Sequence, residues 1–269
     1  MRCAALLLLL GLCACQGVPP RPLVESAPAA PAEYAGAYAG DLVWAGTVTM
    51  AGDVLILAGG SLTILAGSEV RVVPAEGTQI DPEYFSSLTE LLVRGRLSIA
   101  GSAEQPVRFT VVERPELEEI AWAGITLDAA EASTLRHALI ERAETAVRCV
   151  QSAPEISGNL IRRCRYGIIA QQQSAPLILD NRITDGEGGV FCWRGSHPYL
   201  KGNQISGHDE EGVYVDASSR PWLDRNTVTG NAIGLALYPR DLPYDDTEVR
   251  GNTENLRWLG TQGQGGGVP

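Results

Sequence analysis

The chain has 269 residues, of which 45% are hydrophobic and only 6% aromatic, with 30 glycines and a formal net charge of −11. This composition favours many short strands and tight turns over packed helices. The excess of negative charge repels phosphate backbones, so no nucleic-acid partner is expected.

Residues 1–14 read as a lipoprotein signal peptide. Arg2 supplies a short positive start, and the apolar run from Ala4 to Leu12 is too short to span a bilayer as a permanent helix. Leu12-Cys13-Ala14-Cys15 is similar to a bacterial lipobox, which implies lipidation at Cys15. Gln16 follows in place of the aspartate that marks inner-membrane retention, so the expectation is a lipid-anchored envelope protein at the outer membrane. Residues 15–40 are rich in proline and alanine, show no strand or helix period, and read as a semi-extended tether.

Residues 41–258 form the expected body. Its opening, "GDVLILAGGSLTILAGSEVRVVP" from Gly52 and "LLVRGRLSIAGSAEQPVRFT" from Leu91, consists of short alternating runs punctuated by glycine. "AEGTQIDPEYFSS", Ala75 to Ser87, breaks the pattern as a surface loop. A repeat then becomes plain. "PEISGNLI", "PLILDNRI", "PYLKGNQI" and "PWLDRNTV" carry Asn159, Asn181, Asn203 and Asn226 at steps of 22, 22 and 23 residues, and "TEVRGN", ending at Asn252, reads as a degenerate fifth copy. A second line, "GITL", "AVRC", "GIIA", "GVFC", "GVYV" and "GLAL", recurs in phase.

A unit of about 22 residues with two or three strands cannot close a core alone, so units must stack into a solenoid. The leucine pattern of leucine-rich repeats is missing, as is any segment long enough for a helix. The expectation is therefore an all-β fold, a right-handed parallel β-helix (solenoid) with coils of about 22 residues and an Asn ladder. Each ladder asparagine is expected at a tight turn in the left-handed conformation, its amide bonded to its counterpart one coil away. Four inward columns follow from the alternation: Ile156, Ile178, Leu200, Leu223 and Val249; Ile161 to Val228; Ile125 to Leu235; and Leu127, Cys149, Ala170, Cys192, Val215 and Leu237. Residues 259–269 are glycine-rich and read as a flexible tail.

The asparagine–proline lines and the glycine-punctuated opening resemble bacterial right-handed parallel β-helix repeat proteins of the pectin-lyase-like superfamily. The resemblance implies the fold. It leaves the activity open, because that group holds lyases, hydrolases and non-catalytic surface proteins.

No HExxH, GxSxG, P-loop or paired CxxC string is present. His137, His197 and His208 lie on different coils, so no metal site and no cofactor is expected. Cys149 and Cys192 share a column about 10 Å apart, too far for a disulfide, and read as buried hydrophobes. Cys164 sits at a turn and is expected to be reachable by solvent. Asp185 and His208 each lie four residues before a strand glycine, and Glu187 and Glu210 each two before, so this turn offers the candidate acid–base groups. Phe191, Trp193, Tyr214 and Tyr238 fall at outward positions of consecutive coils and form the candidate ligand-binding patch, with Tyr199 and Trp222 on another face. The two readings are an envelope lipoprotein that binds a polysaccharide or scaffolds without catalysis, and a polysaccharide lyase or glycoside hydrolase acting near Glu187 and Glu210.

Overall fold

The computed structural model describes residues 32–75, 85–113, 119–244 and 247–260. Cys15, the signal peptide, the first part of the tether and the tail beyond residue 260 lie outside the described residues. All regular structure among the described residues is strand.

The chain winds as a right-handed parallel β-helix. One coil consists of Leu160–Arg162, Tyr166–Gln171 and Leu177–Leu179, and the next of Arg182–Thr184, Gly188–Cys192 and Tyr199–Lys201. Each strand pairs in parallel with its equivalents one coil away: Ile161 opposite Ile183, Ile168 opposite Val190, Ile178 opposite Leu200. Three faces result. The first is an eight-stranded sheet from Asp41–Trp44 to Trp222–Asp224. The second and third share an 18-stranded sheet, because the bend between them leaves the ladder continuous. Leu160–Arg162 belongs to the second face and Tyr166–Gln171 to the third.

Branched aliphatics stack in columns along the interior, each fully buried side chain contributing about 1.5–3 kcal/mol. Three of the columns follow the sequence pattern. Val249 does not, because it pairs with Val228 on the second face, not with Leu223 on the first. After Trp222–Asp224 the chain adds no further strand to the first face, and Leu242, which is buried, joins the core. At the other end the strand Ala32–Tyr38 pairs with Thr47–Ile56, so residues 32–38, expected as tether, already form part of the solenoid. Their small residues hide the strand period, but the open edge of the next coil supplies the missing hydrogen bonds.

The corner between the first and second faces holds the asparagine ladder. The Asn159 amide donates to Asn181 Oδ1 at 2.9 Å, Asn181 to Asn203 at 3.0 Å and Asn203 to Asn226 at 2.8 Å. Two details differ from the sequence expectation. The left-handed residue is the one before each asparagine, namely Gly158, Asp180, Gly202 and Arg225, so the asparagine itself is free to point inward. The ladder also ends on Thr247, whose hydroxyl takes the Asn226 amide at 3.3 Å. Asn252 belongs instead to the corner between the second and third faces, where it accepts from Asn231 at 2.9 Å.

That second corner lies five residues beyond the first and carries Cys164, Gly186, His208, Asn231 and Asn252, each preceded by a left-handed residue. Serines serve the third corner: the Ser152 amide donates to Ser174 Oγ at 3.2 Å, and Ser196 to Ser219 at 3.1 Å. Just past the second corner Gly189 has no alternative, since a Cβ there would stand 2.3 Å from the Gly212 carbonyl of the next coil.

Candidate functional site

The second corner and the third face carry the residues singled out by the sequence. At the corner, Asp185, Glu187 and Asp209 line a hollow of about 370 Å³ together with Glu119, Arg163 and Arg165. Four carboxylates and two arginines line the hollow, and both arginines are already paired. Arg165 Nε lies 2.9 Å from the Glu187 carboxylate, and Arg163 lies 2.6 Å from Glu141. Glu210 sits one coil above Glu187, its N–H donating to the Glu187 carbonyl at 2.8 Å. Its side chain lines a different hollow, with Glu211, Glu254 and Arg257.

His208 does not stand over Asp185. Thr184 pairs with Ser206, so Asp185 faces Gly207, and His208 turns inward at the level of Gly186. It is 3% exposed, with Nε2 3.2 Å from the Ile183 carbonyl and Nδ1 without a hydrogen-bond partner. Burial holds its pKa below the ordinary histidine value, against the opposing pull of the Ile183 carbonyl. Cys164, expected at the surface, is buried at the same corner with its Sγ 3.7 Å from the Ile140 carbonyl. Burial pushes the thiols of Cys149 and Cys164 up to about 12 and raises that of Cys192 as well. No group of three or more His, Cys, Asp or Glu among the described residues is arranged to hold a metal ion.

On the third face the aromatic residues do come together. Phe191 and Tyr214 pair in register and stack at 5.5 Å with 18° between planes. Trp193 stands edge-on to both, at 5.4 Å from Phe191 and 6.2 Å from Tyr214. Phe191 is only 5% exposed, so it is the floor of the cluster and not a contact surface. Gly188 makes this possible, because a Cβ there would stand 2.2 Å from the Phe191 ring. Trp193 and Tyr214 are half-buried and Tyr238 is 40% exposed.

Tyr166 completes the cluster edge-on to Phe191 at 5.0 Å, and sequence reasoning missed it. Strict alternation from the inward Ile168 sends Tyr166 inward, yet its ring lies against Phe191 on the outer face. The glycine column in "YGIIA" and "GGVFC" was the available signal. Along the edge of the same face, Asp216 accepts N–H bonds from Arg194 at 2.6 Å and Ser219 at 2.8 Å. Burial would raise its pKa, but these donors hold it below the ordinary aspartate value.

A buried carboxylate also went unnoticed in the sequence. Glu90 lies under the third face's opening coils, taking the Thr126 hydroxyl and the Phe85 N–H, the latter at 2.9 Å. Burial raises its pKa. Its partners are a loop amide and a strand hydroxyl, so it fastens the segment from Phe85 onto the sheet.

The family model described as "Periplasmic copper-binding protein (NosD)" matches residues 111–253, just over half of the 269 residues and most of the coils described above. No curated protein and no solved structure matches.

Proposed function

The chain belongs to the NosD family of periplasmic parallel β-helix proteins, and from that premise we propose that it is a non-catalytic envelope protein that binds an extended glycan on the ring cluster of its third face. Its family is periplasmic, which agrees with a place in the cell envelope. Attachment to the outer membrane through a lipid at Cys15 is part of this proposal.

One observation carries it. Phe191 is locked between Tyr166, Tyr214 and Trp193, so the outer rings are held in place before any ligand arrives. Rigid aromatic surfaces of this kind bind at little entropic cost, and a sugar ring presents apolar C–H groups to them. The candidate acids support the non-catalytic reading. Glu187 is engaged by Arg165, and Glu187 and Glu210 open into different hollows, whereas a glycosidase pair must face one another across about 5–9.5 Å.

The copper in the family's description does not fit this body. Copper prefers thiolate, thioether and imidazole donors. Among the described residues, Cys149, Cys164, Cys192, Met50 and His208 lie in the interior with the thiols held protonated by burial, and the solvent-reaching His137 and His197 stand on different coils with no group of three His, Cys, Asp or Glu arranged to hold a metal.

Replacing Trp193 by alanine is expected to weaken glycan binding more than tenfold in a calorimetric titration while the thermal midpoint stays near that of the wild type. Phe191→Ala serves as the contrast, lowering stability by about 3–5 kcal/mol because its ring is packed. Release of reducing sugars or unsaturated uronates by the wild type, lost in Glu187→Gln or Glu210→Gln, would move the assignment to an enzyme.

A further inference from the structure

The first face carries a second aromatic strip in the same coils. Leu177, Tyr199 and Trp222 stand opposite one another in successive outward positions. Trp222 is 62% exposed and Leu177 44%. The column opens on the exposed Val43 and then runs through polar members, Thr63, Ser98, Thr134 and Glu155, before it reaches Leu177. Aromatic rings enter this column only in its last two coils, where the interior does not require them. The Tyr199 and Trp222 rings meet edge-on at 6.4 Å. The Tyr199 hydroxyl donates to Asp224 at 2.8 Å, and the same carboxylate holds Arg225 at 3.1 Å and faces Lys201 at 3.8 Å. The strip thus has a ring surface on one side and fixed donors and acceptors along its edge.

Its size selects the occupant. It is one side chain wide and about 10 Å long over two coil steps. A stable protein interface needs about 800 Å² from each partner, far more than this strip offers. One carbohydrate chain running along the solenoid axis fits it: pyranose faces lie on the rings and hydroxyls meet Asp224, Lys201 and Arg225. The net charge of −11 disfavours polyanionic chains, so the glycan is neutral.

We propose that the Leu177–Tyr199–Trp222 strip is a second contact for a neutral glycan, which makes the body bivalent. The proposal builds on the glycan reading of the third face. The two surfaces lie on opposite flanks of the serine corner, in overlapping coils, so they address separate chains. A body of this kind bridges glycan strands and gains avidity from doing so.

The test uses cellohexaose and chitohexaose in calorimetric titrations, and soluble hydroxyethyl cellulose and glycol chitosan with its amines acetylated in light scattering. The wild type is expected to take up two hexasaccharides per body and to cross-link the polymers. Trp222→Ala should leave one site, bind the polymers more than tenfold more weakly and abolish cross-linking, with an unchanged thermal midpoint because the ring is mostly solvent-facing. Tyr199→Phe, which keeps the ring and removes its hydrogen bond to Asp224, should fall between them. Two sites and full cross-linking in Trp222→Ala would overturn the proposal and leave the third-face reading intact. Binding lost in Trp222→Ala but untouched in Trp193→Ala would keep the first-face site and remove the third-face one. A wild type that binds none of these probes would overturn both.

Discussion

His208 shows what a single exception does to a repeating corner. Its neighbours at the second corner, Asn231 and Asn252, each donate an amide to the coil below, at 3.3 Å to Ile205 and 2.9 Å to Val228. His208 makes the equivalent contact through Nε2 but strands Nδ1 in the interior. An orphaned buried acceptor costs about 1–3 kcal/mol. Replacing His208 by asparagine is therefore expected to raise the thermal midpoint by several degrees. The pH dependence gives a second readout. The folded-state pKa is depressed below the unfolded value of 6.5, so the unfolded chain takes up the proton first. Stability is full above that pH and falls as the pH drops through the window between the two values. The substitution should flatten that part of the stability–pH curve, and a curve that stays parallel to the wild type would refute the assignment. Asp216 and Asp224, whose pKa values are lowered, act in a separate and more acidic window.

A coil is held by what it shares with its two neighbours, so the element is exchangeable. Every corner bond described above runs to the coil directly above or below, and every strand pairing has the same reach. Stability in such an array is close to a sum of coil and interface contributions. Excising residues 182–203 joins Asn181 directly to Gln204, the residue that follows Asn203 in the intact chain. The shortened protein is expected to retain a β-rich circular dichroism spectrum and a single cooperative melt, with a midpoint a few degrees lower. Excising only residues 182–192 breaks the phase of every column above the cut and should abolish that melt. If both deletions behave alike, coil phase is not what holds the body together.

At the scale of the molecule, three faces share one core but meet solvent differently. The second face bears ion pairs such as Arg162 with Glu141 at 2.7 Å, while the first and third bear rings over their later coils. The proposed lipid at Cys15 and the proposed glycan contacts together suit a body that stands at a membrane and holds chains beside it. If Cys15 carries the anchor, the wild type takes up an alkyne-labelled fatty acid and fractionates with membranes, whereas Cys15→Ser accumulates as an unlabelled precursor. Label retained in Cys15→Ser would remove the anchor.

The sequence by itself determined the period, the parallel stacking, three of the inward columns and the asparagine ladder, because each depends on a pattern that recurs every coil. It also placed Phe191, Trp193 and Tyr214 on one face, since outward parity follows once the inward column is known. Only the tertiary structure decided how far each of them reaches solvent. Phe191 is buried by neighbours, among them Tyr166, whose ring lies outward against the alternation. The sequence placed Cys164 and His208 at turns, but that both point inward there was equally invisible in it. Two left-handed residues five positions apart make two corners, and alternation carries no information across a change of direction. Val249 changed columns for the same reason: periodicity counts residues, whereas the face a strand joins depends on which edge remains open when the chain reaches it.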